Sequence, residues 1–397
     1  MKQLRKYTHY PQGVESHKDL LDYILNKAKD LKIVSYNTVD NRVGYVDTNV
    51  DTQPIDYSKV AMFFENVGTD DAVISVKKNN TGANTISLEI SIDNTNYETW
   101  GDTSTTALSK TIGAGERLYI RNAENVGYFS ISLNVYNKFS STGANIIVGG
   151  NIMSLGYKNF ENKYTIEQSC AYSKVFRNMT NLIDASKLVL PATTLASNCY
   201  SQMFDGCTSL TTAPELPATT LVYSCYMAMF RDCTSLTTTP ELPATTLASE
   251  CYSNMFNGCT SLTTAPELPA TTLKESCYSA MFYGCTSLTT APAKLPVTTL
   301  ATGCYKSMFN GCTSLTTTPE LPATTLTDNC YSYMFKGCSN LNYIKAMFTT
   351  TPNNLYTNSW LSGVASTGTF VKNANATWDV SGDYGIPEGW TVETATA

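Results

Sequence analysis

Histidine is nearly missing from this chain: 397 residues hold two, His9 and His17, both close to the N-terminus. With imidazole confined there, no Ser-His or Cys-His arrangement is written into the remainder. Gly-x-Ser-x-Gly, His-Glu-x-x-His and a Walker-type phosphate loop are likewise missing. Charge is scarce as well, at 15% Asp, Glu, Lys and Arg, with a net charge of -6 and a pI near 5.1. No Lys/Arg cluster interrupts that balance, which argues against nucleic acid as a partner. No apolar run reaches 18 residues, so no membrane span is expected. The opening Met1–Pro11 has basic residues but neither an apolar core nor a cleavage site, and it is not read as a signal peptide. These absences predict a protein that is not an enzyme and uses no cofactor and no metal.

What the chain has in excess is repetition. The run Cys-Tyr-Ser-Gln-Met-Phe-Asp-Gly-Cys-Thr-Ser-Leu-Thr-Thr-Ala-Pro-Glu-Leu-Pro-Ala-Thr-Thr-Leu, Cys199 to Leu221, is the first of six nearly identical copies between Cys199 and Asn340. Its phenylalanine falls at Phe204, Phe230, Phe256, Phe282, Phe309 and Phe335, a period of 26 with one step of 27 at the inserted Lys294. A degenerate unit with Cys170, Phe176, Leu182 and Leu190–Leu195 precedes them. A unit this short cannot bury its own apolar face and must stack on its neighbours, which predicts a solenoid.

Twelve of the thirteen cysteines sit at two fixed positions of the repeat, eight apart: Cys199/Cys207, Cys225/Cys233, Cys251/Cys259, Cys277/Cys285, Cys304/Cys312 and Cys330/Cys338. Zinc ligands want spacings of two to four, so this is no metal signature. On a helix, Cys199, Met203, Cys207, Tyr200 and Phe204 fall at roughly 0, 40, 80, 100 and 140 degrees, one apolar stripe. The expectation is a short helix per coil, ended by glycines such as Gly206 in a left-handed cap, with reduced thiols as small core residues. Leu210, Ala213 and Leu216 then suggest a short extended stretch that stacks in parallel on the next copy about 4.8 Å away. Pro214 and Pro217 keep it short or interrupted.

The pattern Met-Phe-x-Gly-Cys-Thr-Ser-Leu-Thr-Thr-x-Pro resembles the BspA-like leucine-rich repeat. The 26-residue form with Leu-Pro-Ala-Thr-Thr-Leu is similar to surface and phage-encoded proteins of gut Bacteroidales. The ending Trp360–Phe370 and Gly385–Val392 resembles segments that follow such repeats. The resemblance covers about 170–397 and implies adhesion at a cell or virion surface, with no catalytic residues to carry over.

Upstream the texture changes. Ile86–Ile92 alternates apolar and polar, as do Phe129, Ile131, Leu133 and Val135; Val60–Phe64, Ala72–Val76 and Leu118–Ile120 add further strands. Such spacing predicts an antiparallel β-sandwich. Ile92–Tyr97 is read as a turn, since a calcium loop would need a central Gly and a distal Glu. Residues 16–31 carry the pattern of a long helix, with Ser16 as cap and Leu20, Leu21, Ile24, Leu25, Ala28 and Leu31 on one stripe. It is read either as packing on the sandwich or as an oligomerisation or docking element. The predicted class is therefore α+β: a helix and arm at 1–57, a β-sandwich at 58–150, a leucine-rich-repeat-like solenoid at 151–341 and a C-terminal cap at 342–397.

Differences among the copies collect at two places. One is the triplet after Leu221, Val222-Tyr223-Ser224, replaced by Ala248-Ser249-Glu250, Lys274-Glu275-Ser276, Ala301-Thr302-Gly303 and Thr327-Asp328-Asn329. The other is a set comprising Gln202, Arg231, Asn257, Tyr283, Asn310 and Lys336. Either these letters drift at exposed sites or they face a ligand, with Tyr223, Arg231, Tyr283, Tyr333 and Lys336 as candidate contacts. The flat Thr/Pro face is the rival surface. The carboxylates Glu215, Glu241, Glu267 and Glu320 are taken as copies of one solvated position.

The functional expectation is a phage virion component, fibre-like or decorating. Its N-terminal part would meet other virion proteins, and its solenoid would meet a host surface protein or glycan, alone or as a homo-oligomer. A bacterial cell-surface adhesin, which needs an export signal, and a purely structural spacer are the alternatives.

Overall fold

The computed structural model describes residues 33–37, 42–45, 55–81, 85–295 and 297–395. The chain divides into a unit of residues 1–56 and a unit of residues 57–397. In the first, β1 (Ile33–Asn37) and β2 (Arg42–Tyr45) form an antiparallel pair. The helix expected at 16–31 lies outside the described residues.

The second unit opens with a 3-10 turn at Tyr57–Lys59 and then β3 (Met62–Asn66), β4 (Ala72–Lys78), β5 (Ser87–Ser91) and β6 (Glu98–Asp102). There follow β7 (Leu108–Ile112), β8 (Arg117–Asn122), β9 (Asn137–Gly143) and β10 (Ile146–Asn151). A second 3-10 turn, Ile152–Leu155, leads to β11 (Leu182–Val189). The cap supplies β12 (Tyr343–Ala346), β13 (Thr369–Lys372) and β14 (Thr391–Thr394).

A six-stranded sheet in the order β11-β10-β3-β8-β5-β6 and a three-stranded sheet β7-β4-β9 make up the N-terminal part of this unit. Period-two alternation turns Ala72, Ile74 and Val76 of β4 inward. The alternating run Phe129–Val135 is not a strand. The Ser132 hydroxyl accepts the N–H groups of Asn134 and Val135 and curls the chain locally. Pairing resumes at β9.

β10 is the hinge of the architecture. It runs antiparallel to β3 on one side and parallel to β11 on the other, so the six-stranded sheet passes without a break into the first coil. All six β10 residues are buried, as expected of a strand covered on both faces. Gly150 sits at φ 78 with the Ala61 carbonyl oxygen 2.2 Å from where a Cβ would stand. Only glycine fits that approach. Phe64 and Phe139 meet Phe176 at ring centroids of 5.9 and 6.2 Å, joining both parts in one core.

The α+β expectation is corrected in the coils. Among the described residues the helical segments are the two 3-10 turns, and the class there is all-β with stacked turns. Cys199–Cys207 is a run of tight turns with a period of four. Left-handed backbone recurs at Asn198 (φ 56), Gln202 (φ 56) and Gly206 (φ 75). Between these come two apolar core residues and one residue on the outer side of the turn: Cys199 and Tyr200 then Ser201, Met203 and Phe204 then Asp205. Ser201 and Asp205 are themselves covered by neighbouring side chains. The hydrogen bonds alternate accordingly. The amides of Cys199, Ser201, Met203 and Asp205 close turns onto the residue three back. Those of Tyr200, Gln202, Phe204 and Gly206 reach the Cys225, Met227, Met229 and Arg231 carbonyls of the next coil. A helix spends every amide internally, whereas this arrangement commits half of them to the neighbouring coil. That fits a unit that must stack to fold.

On the far side of the coil the prolines leave isolated parallel bridges, such as Thr220–Thr246 and Thr264–Thr290, in place of strands. Inside, Tyr200, Tyr226, Tyr252, Tyr278, Tyr305 and Tyr331 form one column, stacked at 5.8 to 6.1 Å. Phe204 to Phe335 forms a second, at 5.4 to 5.7 Å. Trp360 closes the tyrosine column over Tyr331, and its indole N–H is taken up by the Gly385 carbonyl at 3.0 Å. The parallel sheet β12-β13-β14 completes the cap.

Candidate binding surfaces

The four-residue period sets the outer face of the turns. Each left-handed residue donates its amide to the outward residue of the next coil, so outward residues line up in rows. Asn198, Ser224, Glu250, Ser276, Gly303 and Asn329 donate to Tyr223, Ser249, Glu275, Thr302, Asp328 and Leu355, which form the first row. Gly206, Asp232, Gly258, Gly284 and Gly311 donate to Arg231, Asn257, Tyr283, Asn310 and Lys336, which form another. Asp205 heads this second row. Gln202 does not belong to it, being a left-handed position in register with Ala228, Asn254, Ala280, Ser307 and Tyr333.

Of the candidate contacts, Tyr223 lies in the first row and Arg231, Tyr283 and Lys336 in the second, whereas Tyr333 is at the left-handed position of the Gln202 set. Tyr223 is 48% exposed and donates its hydroxyl to Glu250 at 3.2 Å. Tyr283 is 43% exposed. Tyr333 and Lys336 come together, the ammonium 5.5 Å from the ring centroid, and Asn358 donates to the Tyr333 hydroxyl at 3.0 Å. Arg231 is held tightly: Nε and Nη2 each lie 2.8 Å from an oxygen of Asp205. Arg177 reaches the same carboxylate from the preceding coil at 2.8 Å. Asp205 is not among the candidate contacts expected from the sequence. Arginines at 177 and 231, one coil either side, were the available signal.

All thirteen cysteines are buried and free of disulfides. Burial pushes the Cys199 and Cys207 thiols up to about 12 and that of Cys277 to about 11. The second cysteine of the repeat is further tied by a weak S–H bond: Cys207 donates to the Phe176 carbonyl at 3.1 Å and Cys259 to that of Phe230 at 3.1 Å. These groups are poor nucleophiles and poor ligands as they stand. Among the described residues no cluster of three or more His, Cys, Asp or Glu side chains could hold a metal ion.

The opposite side of the coils has its own relief. Cavities of about 310 and 520 Å³ share Pro240, Glu241 and Pro243 and extend the groove from Pro214 to Pro269. Glu215, Glu241 and Glu267 are exposed along it, and Thr238, Thr239, Thr263 and Thr264 line it.

The family model described as "BspA type Leucine rich repeat region (6 copies)" matches residues 172–316 and 252–372, which together span just over half the chain. No curated protein and no solved structure matches.

Proposed function

We propose that this chain, which belongs to the BspA type leucine-rich repeat family, is a non-enzymatic, surface-exposed adhesion or protein-interaction protein whose contacts are made by the outward rows of the turn stack. The observation that carries this is the division of labour within the repeat. Core letters are nearly invariant from coil to coil, whereas the outward rows run Asp205, Arg231, Asn257, Tyr283, Asn310, Lys336 and Tyr223, Ser249, Glu275, Thr302, Asp328. A backbone held by a lattice of hydrogen bonds presents these varied side chains with little backbone ordering left to incur on binding. Tyrosine and arginine are frequent anchors of such interfaces.

The finer reading is a phage virion component that holds the particle through its N-terminal region and meets a host surface protein or glycan through the solenoid. Thirteen buried, unpaired cysteines support assembly in a reducing compartment such as a bacterial cytoplasm. Mass spectrometry of purified virions should then find this chain. Recovery from bacterial outer surfaces with none in virions would replace this reading by the bacterial adhesin. For the binding face itself, Tyr223, Tyr283, Tyr333 and Lys336 are changed together to Ser and cell binding of the labelled protein is measured. Binding should fall while the melting curve keeps its cooperativity. Undiminished binding would move the contact to the Thr/Pro groove.

A further inference from the structure

Two places in the second outward row carry a chemistry that the rest of it lacks. Asn257 is followed by Gly258, and Asn310 by Gly311. A glycine has no Cβ to screen its main-chain nitrogen from the preceding side chain. Once hydroxide has taken the N–H proton, that nitrogen can attack the asparagine Cγ. The new N–Cγ bond closes a succinimide ring, and Nδ2 leaves as ammonia with a proton from water, which returns the hydroxide. Water then opens the ring at one carbonyl or the other, to aspartate or iso-aspartate. In sum one water is consumed and one ammonia is released. Both sites lie in the same run, Met-Phe-Asn-Gly-Cys-Thr-Ser-Leu, at Met255–Leu262 and Met308–Leu315. Their intrinsic rates are therefore equal, and any difference between them comes from the fold.

Stacking withholds the nitrogen. The Gly258 N–H donates to the Tyr283 carbonyl oxygen at 2.8 Å, and the Gly311 N–H to that of Lys336 at 2.8 Å. The proton that must leave is thus the one held by the next coil. Asn257 is tied at its other end as well, its side-chain amide donating to Asn254 Oδ1 at 2.9 Å. Beside Asn310 the matching left-handed position is Ser307. Asp205-Gly206 has the same spacing, but its carboxylate is an anion clamped by Arg177 and Arg231 and resists attack.

Release has a direction. Each coil contacts only its neighbours. The chain passes from one coil to the next through Thr-Thr-Leu with no slack, so a coil parts from its neighbour by unwinding from an end. The N-terminal end is anchored, because β11 continues the sheet of β10 and β3. Unwinding from the other end frees Gly311 when the cap and the coil of Lys336 come away. Freeing Gly258 takes two more interfaces, including the bonds from Phe282 to Met308 and from Phe256 to Met281, each 2.9 Å. The larger opening costs more free energy and is visited less often.

We propose that Asn257 and Asn310 are deamidation sites kept closed by coil stacking, and that they convert in the order Asn310 then Asn257 as the solenoid unwinds from its cap. Iso-aspartate adds one carbon to the main chain, which breaks the four-residue period of the turns. A converted coil cannot remake the same bonds to its neighbour, so opening is recorded irreversibly in the covalent structure. This chemistry does not depend on which face of the solenoid meets a ligand.

The test incubates the full chain in mildly alkaline buffer, below the range in which the buried thiols titrate. Both sites are followed by peptide mapping with mass spectrometry, which tells them apart by Asn254 and Ser307, and by iso-aspartyl methyltransferase labelling. A synthetic peptide of the shared run gives the unprotected rate. In the native chain both sites should convert at least about a hundredfold more slowly than the peptide. Urea below the unfolding midpoint should speed Asn310 about tenfold more than Asn257, and full denaturation should bring both to the peptide rate. Hydrogen exchange of the unmodified protein should release the Gly311 amide before that of Gly258. Conversion of either site at the peptide rate in the native chain would overturn the proposal. So would conversion of Asn257 first, or of both together, below the midpoint.

Discussion

Arg231 reaches back one coil to place Nε and Nη2 against the two carboxylate oxygens of Asp205, each at 2.8 Å. The same carboxylate takes Arg177 from the coil before, so one aspartate ties three successive coils. Its side chain is 3% exposed, whereas the arginines are 30% and 34% exposed. Asp205→Asn keeps the shape and removes the charge, leaving two guanidiniums facing each other. A loss of about 2–3 kcal/mol is expected, with a smaller loss for Arg231→Ala, measured by urea unfolding. Equal stability of Asp205→Asn and the parent would show that the clamp contributes nothing.

Alkaline pH should unfold the solenoid abruptly. Burial raises the Cys199, Cys207, Cys285 and Cys338 thiols to about 12 from an ordinary value of 9.0. It pushes the stacked tyrosines well above theirs. Below the unfolded-state value both states hold their protons and this contribution to stability is intact. Above it the unfolded chain releases protons that the folded chain keeps, so stability falls as pH rises from about 9 toward 12. Each thiol loses about 1.4 kcal/mol per pH unit, against a total stability of about 5–15 kcal/mol for a typical domain. Circular dichroism against pH should show cooperative loss within about one to two units above 9. At neutral pH thiol reagents should label almost nothing until denaturant is added. Fast labelling of the native protein would contradict the burial.

Ala280 stands at a left-handed position, φ 52, where the other coils carry Gln202, Ala228, Asn254, Ser307 and Tyr333. An L-residue with a bare Cβ is disfavoured there by about 1–2 kcal/mol, partly offset by the entropy of an added glycine. Ala280→Gly should therefore raise stability by about 0.5–1 kcal/mol. In a helix the same change would lower it by a similar amount. Thermal melts of this variant thus separate the turn stack from a helix by sign.

Trp360 is fully buried, stacks on Tyr331 at 6.3 Å and packs edge-on against Phe348 and Phe370. Trp360→Ala should cost about 3–5 kcal/mol. Because it uncovers the last coil, it should also promote association, detectable as concentration-dependent scattering. A stable, monomeric variant would mean that the cap is dispensable.

The repeat length, its register and the identity of the core letters were readable from the residues alone. Cysteine, tyrosine, methionine and phenylalanine return at fixed offsets, and nothing but stacking can bury them. The strands Ala72–Val76 and Ile86–Ile92 were equally plain, because alternation on a half-buried sheet leaves a period of two.

The helix assigned to Cys199–Gly206 failed for an identifiable reason. Its true period is four, and over two turns this departs from 3.6 by less than one residue. Apolar spacing could not separate them, although Asn198, Gln202 and Gly206, set four apart, were a usable hint of left-handed backbone. What the residues could not announce is where each amide would go. Half of them bond to another coil, and that partner exists only once the coils are stacked. Arg177, Asp205 and Arg231 tell the same story. They lie a coil apart along the chain, and they become a clamp because stacking brings their coils together. The 26-residue repeat therefore carried its own scaffold in its spacing, whereas the pairing of amides and the gathering of charges arose from contacts between segments far apart in the chain.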